Sequence, residues 1–513
     1  KAQVAIPPPR SPLPCRRVRP LHPGQKLQMG DEDSVDRNPL TDTQLPELHG
    51  NDYPFINKVA VALLIGVFVL PIVGVGLEKM AQLTSCKKYR ERGHPGTWVV
   101  VLLVVSYALL VPGLIGDLFS FNIEANLLVM KIGLGPDGGP NKVEPTTESM
   151  FGLIGLLHHT GCDLGVVLVL TYAVLIPVAK IILLLAGEFL RGKSVRKSMR
   201  CVQVVQNISK WACPDMFAYV LLMHLIRGLE HPMILLAAGR LDLGFTCFSI
   251  FCVGSTVAAI GLETPDKEKG FWKRLAQLLG PTGLMIVLVP LEIAFVCLLV
   301  YGMQQPAMSL RVDIDPLYST HGGPIDIKLK SIVDSLGIVK MCHADVSLIA
   351  AMRKLVFWIG CGEVNSFIGF VLIAVFAVAF TCLDMLFLLF TAVCLLTHSG
   401  RKFSPLKLCW ILKKLSMLDV TIMGVVVVTL CMAMYRDKGV IVFMGHGLWL
   451  LLGAEIIHYF CYYAVKGAMQ TFEPEANFAQ KTTMWDNDSS DSSLDSGSNS
   501  SESDNDDSQN GVD

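Results

Sequence analysis

Charge is scarce in this sequence. Asp, Glu, Lys and Arg make up 17% of its 513 residues, against about 25% in a soluble domain. The deficit is concentrated: Val99–Ile115, Leu243–Leu262 and Phe367–Leu383 hold no charged residue, and Leu164–Lys180 holds only the Lys at its end. Runs of roughly 18 or more apolar residues match a hydrocarbon core about 30 Å thick. That excludes a soluble globular chain and points to a membrane protein. The net charge of -1 says little about partners, because the charges are segregated.

Other absences narrow the function. No C-x-x-C occurs among the fifteen cysteines, which excludes a zinc ribbon and a thioredoxin-like site. No G-x-S-x-G or H-E-x-x-H is present, so no hydrolase or metalloprotease is expected. No catalytic residue, metal or cofactor is assigned, and no basic, aromatic surface suggests nucleic acid. Cysteines such as Cys247, Cys252, Cys297, Cys382 and Cys431 sit in apolar blocks as small hydrophobes. Cys342 and Cys361 share one extramembrane loop, either as a disulfide or as separate thiols.

What is present is nine apolar blocks: Val59–Leu77, Trp98–Ile115, Leu164–Ala186, Pro214–Ile226, Leu243–Leu262, Gly283–Tyr301, Phe367–Leu396, Val420–Tyr435 and Leu448–Val465. Every second connection is basic. Lys79, Lys87, Lys88, Arg90 and Arg92 follow the first block, and Arg191, Lys193, Arg196, Lys197, Arg200 and Lys210 the third. Lys267, Lys269, Lys273 and Arg274 follow the fifth, and Arg401, Lys402, Lys407, Lys413 and Lys414 the seventh. Basic connections face the cytoplasm or its equivalent, so the N-terminus lies outside and the C-terminus inside. The first block is a span, a re-entrant segment or a removable signal anchor.

The other connections carry alternating residues. Phe119, Phe121 and Ile123, then Leu127–Ile132, read as two short strands ahead of an amphipathic helix at Glu148–Leu157. Met308, Leu310, Val312 and Ile314, then Ile325, Ile327 and Leu329, repeat the pattern ahead of Ala344–Trp358. A small extramembrane β-element in each place is expected. At the ends, 1–54 reads as a disordered basic arm or the remnant of a transit peptide, and 482–513 as an acidic, Ser-rich disordered tail.

The order of parts recurs at an offset of about 204 residues. Lys210-Trp211-Ala212-Cys213-Pro214-Asp215 opens the fourth block and Lys414-Leu415-Ser416-Met417-Leu418-Asp419 the eighth. The same offset maps Lys180 onto Asp384. Agreement in order, spacing and charge predicts a duplicated module, with both copies in one orientation. The expected fold is an all-α polytopic membrane protein of two parallel four-helix repeats, each with a β-element, plus one extra span. Its parts are 55–80 for the extra span, 97–265 for the first module and 275–470 for the second.

The motifs carry a resemblance. Ser416-Met417-Leu418-Asp419-Val420, Trp211 with Asp215, Pro177-Val178-Ala179-Lys180 and Pro306-Ala307-Met308-Ser309 are similar to the W-S-M-x-D-V, P-x-x-K and P-x-M-x motifs of the paraquat-inducible protein A family (PqiA/LetA). The resemblance covers about Trp98 to Val465. It implies two such modules, a role in lipid handling between membranes, membrane lipids as ligands and an MCE-like lipid-transfer partner. The chain departs from the family in lacking the zinc-ribbon cysteines, with only Cys86 in the comparable place, and in its extra span and acidic tail. Docking through a zinc ribbon does not carry over.

Ionisable residues inside a membrane default to functional candidates. Here they are Lys180, Glu292, Asp384, Arg227, His224, Glu455 and His458. Lys180 and Asp384 either pair or line a polar path between the modules, or each is satisfied locally. Glu455 and His458, one turn apart, share a hydrogen bond or a proton, or contribute to a zinc site. Asp215 and Asp419 either cap their helices or meet a partner or lipid headgroup. Three functions remain open: lipid handling, secondary transport of a small solute, and a scaffold that docks through the β-elements and the tail.

Overall fold

The computed structural model describes residues 53–83, 96–127, 130–133, 146–191, 194–228, 235–262, 270–312, 343–396, 405–432 and 440–472. The basic arm up to residue 52, the acidic tail, Cys342 and the Ile325–Leu329 strand lie outside the described residues. Among the described residues, eight helices are long and apolar enough to cross a membrane. The chain is therefore a mostly helical, multi-pass membrane protein with two small sheets.

A first helix, α1 (Tyr53–Leu83), is continuous and packs on α2 (Thr97–Ile115), where Gly74 lets the backbone of Trp98 come close. After α2 come β1 (Asp117–Leu127), β2 (Met130–Gly133), β3 (Thr146–Ser149) and the amphipathic α3 (Met150–His159). The long α4 covers 163–191, then α5 (Val195–Ile208) ends in a 3-10 turn, Ser209–Ala212. The first half closes with α6 (Pro214–Gly228), β4 (Leu235–Leu241) and α7 (Leu243–Ile260).

The second half runs through α8 (Gly270–Gln304), β5 (Met308–Val312), β6 (His343–Val346) and α9 (Leu348–Gly360). The long α10 covers 364–396, followed by α11 (Pro405–Leu415), α12 (Leu418–Cys431), β7 (Val440–Met444) and α13 (His446–Phe472). Helix α8 breaks at Gly280, whose φ of 64° favours glycine, so the span proper begins at Pro281.

Several local solutions occur in both halves. Ser149 caps α3 by accepting from Gly152 N at 3.1 Å, and Ser347 caps α9 by accepting from Ala350 N at 3.2 Å. Both helices end on a left-handed glycine, Gly161 and Gly362. The following residue then bonds back five positions, Cys162 N to Leu157 O and Glu363 N to Trp358 O. Both long spans contain a π-helical stretch, Thr171–Leu175 in α4 and Val371–Ala379 in α10. In each sheet the strand after the first span is central. β1 pairs antiparallel with β3 and β4, and with β2 further along; β5 pairs antiparallel with β6 and β7.

Two expectations need correction. The fourth apolar block is α6, a 15-residue helix about 22 Å long, shorter than the hydrocarbon core. All of Pro214–Ile226 is buried, so it is an interior helix without a lipid face. The helix expected from Ala344 starts at Leu348, because His343–Val346 pairs with β5 as a strand. Helix α6 packs against α12 at the junction of the halves. There Gly424 admits a close approach: a Cβ on it would lie 2.8 Å from Pro214 O and 2.9 Å from Phe217 Cβ.

Candidate functional site

The buried ionisable residues gather mainly in the second half. His458 and Glu455 stand one turn apart on α13, and His458 Nδ1 lies 3.2 Å from Glu455 Oε2. The other ring nitrogen, Nε2, lies 2.8 Å from Asp384 Oδ2 on α10. Lys413 on α11 donates to Glu455 Oε1 at 3.1 Å and lies 3.0 Å from His458 Nδ1. The Nε2–H points at Asp384, while Nδ1 accepts from the Lys413 ammonium when the ring is neutral and donates to the Glu455 carboxylate when it is protonated. His458 and Asp384 are fully buried, and Glu455 and Lys413 nearly so. Buried charges persist only when paired and hydrogen-bonded, and these four bond one another, with Asp384 Oδ1 left without a partner among the described residues.

The chain extends in two directions. On one side Glu292 of α8 lies within electrostatic range of both Asp384 and His458. Glu292 Oε1 and Asp384 Oδ1 are buried without a hydrogen-bond partner among the described residues. On the other side the Lys413 ammonium sits 3.5 Å from the centre of the Tyr459 ring. The Tyr459 hydroxyl accepts from Lys210 Nζ at 3.0 Å and donates to Asp419 Oδ2 at 2.9 Å. Lys210 and Asp419 themselves are 2.5 Å apart. Burial alone would lower the Lys210 ammonium, but Asp419, Tyr459 and Glu455 together hold it above the ordinary lysine range.

Among the described residues, the first half has no comparable network. Lys180 on α4 is fully buried and donates to Ser255 Oγ on α7 at 2.8 Å, with the Phe251 ring 5.7 Å away. Lys180 and Asp384 each find a partner within their own half, so of the alternatives for this pair the direct ion pair is not formed. The Glu455–His458 hydrogen bond is formed, and among the described residues no cluster of three or more His, Cys, Asp or Glu is arranged to hold a metal.

Arg227 sits at the end of α6, beside the sheets. It makes two bonds to Glu363, at 3.0 and 3.1 Å, and stacks 4.1 Å from the Trp358 ring centre. It thus joins the halves at one end of α6, as Lys210–Asp419 does at the other. His224 is buried near Trp358, and its Nδ1 has no hydrogen-bond partner among the described residues.

The motif residues dock helices onto the π-helical stretches. Met417 N donates to Phe376 O at 2.9 Å, inside the π stretch of α10, and Ser416 Oγ lies 2.7 Å from Thr381 Oγ1. In the first half Trp211 stacks on Tyr172 of the other π stretch. The carbonyl of Pro177 accepts from the Tyr107 hydroxyl at 3.3 Å. The capping reading of the two aspartates is not met. Asp419 takes one backbone bond, from Val420 N, and spends its other oxygen on Lys210 and Tyr459. Asp215 is fully buried, and neither of its carboxylate oxygens has a partner among the described residues.

Sequence reasoning missed Lys413 and Lys210, which it placed in basic connections. The signal was available in Leu408-Cys409-Trp410-Ile411-Leu412, which is too apolar for a solvated loop and carries Lys413 inward. A separate cavity of about 570 Å³ lies between α1, α2 and α7, with Ile56, Val111, Ile115 and Leu243 on its walls. Asp117, Arg240 and Asp242 line it too. Asp242 forms an ion pair with Arg240, Nε 2.6 Å from Oδ1, and its other oxygen accepts from the Ser120 hydroxyl. Burial raises the Asp242 carboxyl above its ordinary range in spite of those two partners. No family model, curated protein or solved structure matches the chain.

Proposed function

We propose that this chain is a membrane transport component, made of two parallel copies of one module, that uses protons to move a lipid-like cargo. The observation that carries the reading is the buried chain Asp384–His458–Glu455–Lys413. A histidine whose two nitrogens face different carboxylates can take a proton on one side and release it on the other. Intramembrane titratable chains of this kind mark proton relays. Glu292 then feeds the relay at one end, and Tyr459 couples it to Lys210–Asp419 at the junction of the halves.

The duplicated module is supported by the matched caps, π stretches and sheet orders of the two halves. The lipid cargo follows from the resemblance to the paraquat-inducible protein A family. The cavity beside α2 supports it, because most of its wall is apolar, with Asp117, Arg240 and Asp242 gathered at one part of the lining, and its volume falls in the ligand-site range of about 300–1,000 Å³. An MCE-like protein is the proposed acceptor. The basic connections stay on the cytoplasmic side, together with the C-terminus. Lys210 and Lys413 drop out of that count because both are buried in ion pairs.

The test is reconstitution of the full chain in liposomes containing fluorescent phospholipid, with an imposed pH gradient. Lipid redistribution and proton movement are expected together, both lost in Asp384→Asn. Proton movement with a small solute and no lipid redistribution would replace the lipid cargo. No gradient-dependent flux of either kind would overturn transport and leave the scaffold reading.

A further inference from the structure

The ion pair at the junction of the halves is made once where the sequence provides for it twice. Lys210 precedes Asp215 by five residues in the first half, and Lys414 precedes Asp419 by five in the second. The bond formed is the crossed one, Lys210 to Asp419. Its counterpart, Lys414 to Asp215, is open. Lys414 turns to Asn207 Oδ1 at 2.7 Å on the exposed side, while Asp215 stays fully buried with both oxygens unpartnered among the described residues. The titratable groups in electrostatic range of Asp215 are Tyr172 of α4, Tyr219 of α6, Cys252 of α7 and Cys431 of α12. None of them is a cation. An isolated ionised carboxylate in such a place costs far more than a neutral one.

We propose that Asp215 is a second proton-binding site, which exchanges its proton for the Lys414 ammonium in a conformation that mirrors the one seen here. In the exchange the Asp215 carboxyl releases one proton as Lys414 moves in, and Lys414 keeps its charge. Lys210 leaves Asp419 for the exposed side, the place that Lys414 takes here, and Asp419 binds one proton instead. One lysine–carboxylate pair and one neutral carboxyl are present before and after, so neither state buries an uncompensated charge. The exchange rests on the reading of two parallel copies, and it supplies the two discrete arrangements that a coupled transporter needs.

The test uses the full chain in lipid nanodiscs and dicyclohexylcarbodiimide. This apolar carbodiimide adds to protonated carboxyls in apolar surroundings, and an amine in contact then displaces the urea to leave an isopeptide bond. Peptide mass spectrometry is expected to find the adduct on Asp215, and its loss in Asp215→Asn. A Lys414–Asp215 isopeptide is expected in small yield in the unaltered protein and several-fold more in Asp419→Asn. Tyr459→Phe removes one of the two bonds to Asp419 and is expected to shift the yield the same way by less, which covers a failure of Asp419→Asn to fold. An unreactive Asp215 would overturn the proposal. So would an isopeptide to Lys210 in place of Lys414, or none in any variant. The crosslink is read without a flux assay, so Asp384-dependent transport can fail or hold independently of it.

Discussion

At one place in the fold the two halves make the same helix contact with different chemistry. Asp384 stands 204 residues beyond Lys180, and His458 stands 203 beyond Ser255. Both pairs join the long span of a half to its last span, each at 2.8 Å. In the first half an ammonium meets a hydroxyl that passes on only to the Cys252 carbonyl at 3.4 Å among the described residues. In the second half a carboxylate meets an imidazole, and the contact continues through Glu455 and Lys413 towards Lys210 and Asp419. The architecture is shared while the titratable chemistry is not. On the proposed reading, the first site holds a charge and the second passes one on.

The junction puts the largest energy on this difference. Asp419→Asn leaves Lys210 buried opposite a neutral amide, and losing one member of a buried pair costs about 3–5 kcal/mol. Lys414→Met removes a bond to Asn207 on the exposed side, worth about 0.5–1.5 kcal/mol. Equilibrium unfolding of both variants in one detergent checks the contrast. Equal losses would mean that the junction is not asymmetric.

Transport separates the halves next. Asp384→Asn keeps the shape but removes the carboxylate that faces His458 Nε2, and flux is expected to fall on the order of 10²-fold, as for loss of a positioned acid–base group. Lys180→Met replaces the ammonium by an apolar chain beside Phe251, and flux is expected to change little. If both variants lose flux alike, the first half carries charge as well and the division of labour is wrong.

The spans were legible because hydropathy alone sets them: α1, α2, α4, α7, α8, α10 and α13 all overlap their apolar blocks. The matched lysines and aspartates were legible as a repeat, but their bonds were not. Lys210 and Asp419 are 209 residues apart, and the crossed pairing depends on how α6 and α12 pack. Strands β4 and β7 were missed, since Leu235–Leu241 and Val440–Met444 are short apolar runs beside spans with no clean alternation. The π stretches leave no periodic mark, because a single widened turn hardly alters a helical pattern.

Packing sharpens the comparison at smaller cost. Gly113 of α2 faces Phe248 of α7, and Gly302 of α8 faces Leu451 of α13. A Cβ on Gly113 would lie 2.9–3.0 Å from the Phe248 N, Cα and Cβ atoms. One on Gly302 would lie 3.0 Å from the Leu451 Cδ2 and Cγ atoms and 3.1 Å from its N. Overpacking of this kind costs about 1–3 kcal/mol. Gly113→Ala is expected near the top of that range, because the Phe248 backbone cannot move without its helix. Gly302→Ala is expected lower, because the Leu451 side chain can turn. Thermal unfolding in detergent orders the two, and the reverse order would show that the α8–α13 contact is the more rigid one.

The smallest effect tests the shared architecture itself. Ser149 and Ser347 occupy the same place in each half, the turn from the sheet into the amphipathic helix, with nearly equal bonds to the third residue on. Each cap lost to alanine costs about 1 kcal/mol. Neither serine belongs to the buried relay, so Ser149→Ala and Ser347→Ala are expected to destabilise alike and to leave transport intact. Unfolding and flux measured on one preparation of each variant would show this. A loss of flux from only one cap would mean that the sheet end of that half takes part in the transport step, and the contrast between the halves would then extend beyond the buried charges to the β-elements.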